Sequence, residues 1–153
     1  MDLILWRHAE AFEMREVEDD LARALTPKGE RQAQRMADWL NRHLAESTRV
    51  LVSPAARCQQ TAACLGRSFR TVPGLEPAAG VDDLLRLARW PQSNEPVLVI
   101  GHQPTLGATC AYLLGGLEQA WHVKKGAVWW LRQREREGMS SVFLQAVQAP
   151  DGL

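Results

Sequence analysis

Three short apolar runs in this chain each lead directly into residues that can handle a phosphoryl group. Leu3-Ile4-Leu5-Trp6 is followed by Arg7-His8, and Val50-Leu51-Val52 by Ser53-Pro54 with Arg57 one turn later. Val97–Ile100 is followed by Gly101-His102. A neutral imidazole can attack phosphorus and hold the group covalently, which splits one hydrolysis into two easier displacements. His8 suits that role. A second imidazole, His102, can donate to a phosphoryl oxygen as charge shifts in the transition state. A guanidinium keeps its proton and offers a planar fork of donors, so Arg7 and Arg57 suit a bound dianion, with phosphate or sulfate the expected occupant. A lone histidine or arginine at a strand end is most simply structural or exposed; it is the joint placement that points to phosphoryl transfer. The charges of Arg7 and Arg57 should lower the pKa of His8, whereas His102 is most useful protonated, a form that a bound dianion favours. Two coupled groups of this kind predict a bell-shaped pH profile.

These residues can meet only if the apolar runs lie side by side. The runs are continuous rather than alternating, as expected for strands buried on both faces of a largely parallel sheet, whose ligands bind beyond the strand carboxyl ends. Helices must cover both faces. Thr26 as N-cap, Pro27 at the first helical position, and Ala33, Met36, Ala37, Leu40 and Leu44 at helical spacing predict a helix over about 27–46. Ser53-Pro54 gives the same start signal for a second helix, with Cys58, Thr61, Ala62 and Leu65 on one face, and its N-terminal N–H groups would add to an anion site. Val81, Leu84, Leu85 and Ala88 mark a third helix. Leu106, Thr109, Cys110, Leu113 and Leu114 mark a fourth, which ends at Gly115-Gly116. Val128–Leu131 and Val142–Val147 flank a charged segment reaching Gly138 and predict a terminal hairpin. The expected fold class is α/β: a three-layer sandwich with a mostly parallel central sheet, helices on both faces and a C-terminal hairpin at the edge.

The chain has 153 residues, 46% hydrophobic and 24% charged, which suits one domain over 1–153 and disfavours disordered or fibrous classes. Eighteen basic residues balance eighteen acidic ones, so nucleic acid is not an expected partner. No apolar stretch approaches the length of a membrane span, and Met1 leads into a strand rather than a leader, so the expected location is the cytoplasm, with no membrane partner. Cys58, Cys64 and Cys110 lack CxxC spacing and are expected as reduced core residues. Trp39, Trp129 and Trp130 fit packing. His43 and His122 fit the surface. The acidic stretch Glu10–Asp20, with Glu10, Glu13, Glu16, Glu18, Asp19 and Asp20, is most simply a solvated loop, although such a loop can rim a site. No HExxH-like spacing supports a metal centre, so no metal and no cofactor is expected.

Leu5-Trp6-Arg7-His8-Ala9-Glu10 resembles the strand-plus-Arg-His signature of the histidine phosphatase superfamily. The resemblance continues through Leu25-Thr26-Pro27-Lys28-Gly29, Val52-Ser53-Pro54-Ala55-Ala56-Arg57, Gln60-Thr61 and Gly101-His102-Gln103-Pro104. Length and the Leu-Thr-Pro-Lys-Gly segment make the chain most similar to SixA-type phosphohistidine phosphatases, with a phosphoglycerate mutase-like fold. The resemblance implies His8 as nucleophile, Arg7, Arg57 and His102 as the rest of the phosphate pocket, no metal, and Arg23 as a further substrate contact. It also implies a phosphorylated histidine-containing protein, such as a phosphotransfer domain, as substrate and signal transduction as context.

One departure is Ala9, where the family usually has Gly; the methyl crowds the loop if the backbone there has positive φ. Larger relatives use an acidic residue to protonate the leaving group, and Glu76, Asp82 and Asp83 lie where such a residue would come, without a diagnostic motif. Transfer between two imidazoles exchanges similar leaving groups and has less need of an acid. Two other readings remain: a broad-specificity small-molecule phosphomonoesterase, and a non-catalytic phosphate- or phosphoprotein-binding module.

Overall fold

The computed structural model describes residues 1–14 and 19–153. Within them the elements run β1 (Asp2–Arg7), α1 (Pro27–His43), β2 (Arg49–Val52), α2 (Ala56–Ala63), β3 (Arg70–Thr71), α3 (Val81–Ala88), β4 (Val97–Gly101), α4 (Thr105–Gly115), β5 (Val128–Arg136) and β6 (Met139–Gln148). Short 3₁₀ turns lie at Asp20–Ala22, Pro73–Leu75 and Pro150–Gly152. The described strands form one sheet in the order β3-β2-β4-β1-β5-β6. β1, β2, β3 and β4 are mutually parallel, while β5 runs antiparallel to β1 and pairs with β6 as the edge hairpin.

Burial on both faces accounts for the continuous apolar runs. Ile4, Trp6, Val50, Val52, Leu98 and Ile100 pack beneath α1 and α2, with Met36, Leu40 and Cys58. The intervening Leu3, Leu5, Leu51, Val97 and Val99 pack on the other side against Leu84 of α3 and Leu106 and Cys110 of α4. Cys58, Cys64 and Cys110 are free thiols, but only Cys58 and Cys110 are buried; Cys64 sits half-buried at the end of α2. Trp130 is buried, whereas Trp39 and Trp129 are half-buried, Trp39 standing edge-on to Trp130. His43 and His122 are exposed, as expected.

Several boundaries differ from expectation for local reasons. α1 ends at His43 because Leu44 turns extended and buries its side chain, its N–H still bonded to the Leu40 carbonyl. α2 starts at Ala56 rather than Pro54: Ala55 is extended, and the Ser53 hydroxyl is engaged elsewhere than in a helix cap. The two-residue strand β3 is exposed and carries no apolar run that could announce it. The hairpin is longer than its apolar segments, because its solvated arm continues to Arg136 and Met139. The connecting Glu137 and Gly138 both have positive φ, as a tight two-residue hairpin turn requires.

Candidate active site

The parallel strands β1, β2 and β4 end side by side, since Arg7 pairs with Gly101 in register and the Ser53 N–H donates to the Ile100 carbonyl. His8 and His102 therefore emerge as neighbours, their ring centroids 5.4 Å apart. Together with Arg7, Arg57 and Arg23 they line a cavity of about 220 Å3, whose wall also includes Ala11, Glu13, Pro77, Gln103 and Lys125. All five residues expected from the sequence are brought together here.

The matched motifs hold the frame of this cavity. Thr26 caps α1 by accepting from the Gly29 N–H at 3.0 Å, and its own N–H donates to the Glu10 carbonyl at 3.0 Å. A side chain at Gly29 would overlap that carbonyl oxygen, so the first turn of α1 can lie against the loop after β1 only with glycine there. The Gln60 side chain accepts from the Leu25 N–H at 2.7 Å, and Thr61 Oγ1 accepts from the Ala9 N–H at 3.1 Å. Gln103 bridges the Gly107 N–H and the Trp121 carbonyl. Ala9 fits without strain: positive φ at described non-glycine positions occurs at Arg89 and Glu137, and the Ala9 methyl packs with Leu25 and Ala33.

Hydrogen bonding fixes the tautomer of His8. Its Nδ1 lies 2.7 Å from the Ala9 carbonyl oxygen, which can only accept, so Nδ1 carries the proton and Nε2 keeps its lone pair. Burial, rather than the arginines foremost, pushes the His8 pKa down to about 3, with His102, Arg57 and Arg7 adding to the effect. His102 is also lowered, to about 4, by burial and then by Arg57. Both imidazoles are thus held in the neutral form at ordinary pH, and an anion bound beside His102 would raise its proton affinity. Ser53 Oγ stands 2.7 Å from His102 Nε2. This is the contact that replaces the expected helix cap. Cys58 Sγ lies 3.5 Å from the same nitrogen, and burial raises that thiol to about 12, so it stays protonated.

The two inner arginines share one pattern. Arg7 Nη1 donates to the Val123 carbonyl at 2.8 Å, and Arg57 Nη1 donates to the Asp20 carbonyl at 2.8 Å. In both, Nε is buried and has no partner among the described residues. Anchored through Nη1, each guanidinium keeps an Nε–H that no described residue satisfies, at a cost that an oxyanion brought against it would remove.

Asp20 is a member of this site rather than a solvated loop residue. Its carboxylate takes Arg57 Nη2 at 3.1 Å and Arg23 Nε at 2.9 Å. Burial opposes ionisation there, but the hydrogen bonds and charges of Arg23 and Arg57 outweigh it and hold the carboxyl below its ordinary pKa. Glu16 and Glu18 lie outside the described residues. The expected acids are elsewhere: Glu76 and Asp82 are not in the cavity wall, and Asp83 accepts from the Gly80 N–H and Arg86 at the start of α3. Among the described residues, the carboxylate in the wall is that of Glu13. Among the described residues, no group of three or more His, Cys, Asp or Glu side chains is gathered as metal ligands. None of the described helices is long and apolar enough to cross a membrane.

Residues 3–80 match the family described as histidine phosphatase superfamily (branch 1). The phosphohistidine phosphatase SixA of Escherichia coli is 34% identical over 125 residues, covering 76% of each chain. A SixA homolog of Haemophilus influenzae is 31% identical over 131 residues, covering 75% of this chain and 78% of its own. Among solved structures, the protein histidine phosphatase SixA complexed with tungstate superposes with a TM-score of 0.78 at 28% identity, covering 99% of each chain.

Proposed function

We propose that this chain, which belongs to the histidine phosphatase superfamily and is a phosphatase by that membership, hydrolyses phosphohistidine on a protein through a phosphorylated His8. The observation that carries the reading is the pairing of a neutral His8, its lone pair left on Nε2, with two buried arginine Nε donors that lack a partner among the described residues. Relatives named as phosphohistidine phosphatases supply the substrate class.

In the first step His8 Nε2 bonds to phosphorus while the P–N bond to the substrate imidazole breaks. That imidazole leaves and takes up a proton from solvent. Arg7 and Arg57 hold the equatorial oxygens, and Arg23 adds positive charge at the rim. His102, oriented by Ser53, donates to a phosphoryl oxygen once the dianion has raised its proton affinity. In the second step water attacks the phosphorylated His8, releasing phosphate and restoring the imidazole. Exchange of one imidazole for another needs little help from an acid, which suits a wall from which Glu76, Asp82 and Asp83 are absent. The residues supply the positive charge themselves, so chelation leaves the rate unchanged in this reading. The protein works as one domain over residues 1–153, in the cytoplasm.

The test compares kcat/KM on a histidine-phosphorylated phosphotransfer domain, a phosphoserine peptide and an aryl phosphate. Preference for the first by two orders of magnitude or more is expected. Equal rates on all three would give the reaction to a broad phosphomonoesterase, and no turnover of any would leave a binding module.

A further inference from the structure

Beside the phosphoryl cavity lies a second, wider one of about 680 Å3, lined by Phe12, Glu13, Met14, Asp19, Ala22 and Arg23. Glu13 and Arg23 line both, so the two cavities adjoin across these side chains. Phe12 and Met14 are 52% and 53% exposed, an unusual use of large apolar side chains four and six residues after the proposed nucleophile.

Phe12 is not exposed through fraying. Its N–H donates to the Ala24 carbonyl at 2.9 Å, its carbonyl accepts from Arg23 Nη1 at 2.7 Å, and Ala11 bridges to Leu25. The ring is therefore presented by a fixed backbone, and little order is lost when something covers it. Arg23 continues through Asp20 to Arg57, so the apolar surface and the phosphate-holding guanidinium belong to one bonded frame.

We infer that Phe12 and Met14 form the docking surface for the protein that carries the phosphohistidine, and so determine specificity. The inference rests on the proposed reaction. The occupant is the surface flanking the phosphorylated side chain: apolar where it covers Phe12 and Met14, and basic where it faces the carboxylates of Glu13 and Asp19, since Arg23 is already paired with Asp20. Once the phosphoryl group sits between Arg7 and Arg57, the chain bearing it must leave across a wall of the cavity, and beyond the Glu13 and Arg23 wall lies the apolar surface of Phe12 and Met14. A free phosphorylated amino acid lacks the flanking protein surface that would cover Phe12 and Met14.

The experiment uses the double variant Phe12→Ala/Met14→Ala, two exposed positions whose truncation spares the core. Substrates are a phosphotransfer domain charged with phosphoramidate and free phosphohistidine. The expected result is a ~10–100-fold fall in kcat/KM on the protein, carried by KM, with free phosphohistidine changed less than ~2-fold. An equal fall on both, or no fall on either, overturns the docking surface. A separate arm keeps it distinct from the reaction: the two truncations are placed in a His8→Ala background and titrated calorimetrically with the charged domain. Weakened binding there supports the surface even if the wild-type protein turns over neither phosphohistidine, a result that would remove the proposed reaction alone. Unchanged binding overturns the surface.

Discussion

Arginines gather at both ends of this sheet, and the two ends differ in what the arginines are left to do. At the carboxyl ends of β1, β2 and β4, Arg7 and Arg57 are tied to backbone carbonyls through Nη1, keep a buried Nε without a partner among the described residues and stand beside two neutral imidazoles. At the opposite end, Arg49, Arg70 and Arg89 line a shallow cavity with Thr48 and Phe69, and Arg49 Nη1 donates to the Ala88 carbonyl at the close of α3. Arg89 also lines the larger cavity of about 610 Å3 around Trp90. Volume and positive charge are thus available at both ends, but neither of these two cavities at the second end contains an imidazole. The lesson is that a guanidinium becomes part of a phosphoryl site when its anchoring leaves a desolvated donor over, next to a group that can attack.

The largest effect expected from this contrast is at Arg57. Arg57→Lys keeps the charge but loses both the Nε donor and the clamp on Asp20, so kcat/KM should fall ~10–100-fold, or ~1.4–2.8 kcal/mol of transition-state stabilisation. Steady-state kinetics on the charged phosphotransfer domain checks this, and a fully active lysine variant would place Arg57 outside the transition state.

A second effect should appear in stability against pH. The folded pKa of His8 is depressed to about 3 and that of His102 to about 4, below an unfolded value near 6.5. Below about pH 6.5 the unfolded chain binds protons that the folded chain does not. Stability is therefore fully present above that pH and falls with acidification until the folded histidines protonate, at up to about 1.4 kcal/mol per pH unit for each. Urea titrations from pH 7 to 5 should show this slope in the wild type and a shallower one in His8→Asn; identical slopes would mean that His8 titrates normally. The smallest effect belongs to the far end. Arg49→Ala should change kcat/KM by less than ~2-fold, and a loss comparable to that of Arg57→Lys would mean that the two ends are coupled.

How much of this was legible in the sequence follows from the kind of signal each feature leaves. The strands of the parallel core announce themselves because burial on both faces forces continuous apolar runs, and the strand ends then deliver Arg7, His8, Arg57 and His102. Asp20 leaves no such trace. An aspartate in an acidic loop looks the same whether it faces water or bridges the nearby Arg23 to Arg57 of α2, and only the tertiary contact decides. Ser53 misleads for the opposite reason: serine before proline is a good helix start, but the same hydroxyl is taken by His102, and α2 begins later. For Glu76, Asp82 and Asp83 chain position is the sole signal, and Asp83 serves the start of α3. Family resemblance supplied the roles of the motif residues, while the hydrogen bonds of Thr26, Gln60 and Thr61 give the physical reason those types stand there.

The central claim is that His8 carries the phosphoryl group between its two displacements. Its most direct measurement is rapid acid-free quenching of the wild-type protein with a radiolabelled, histidine-phosphorylated phosphotransfer domain, followed by site mapping of the labelled enzyme. The account predicts an acid-labile, base-stable label on His8 that forms and decays at rates compatible with turnover and is missing from His8→Ala. A label on another residue, or a normal amount of phospho-enzyme in His8→Ala, would contradict it.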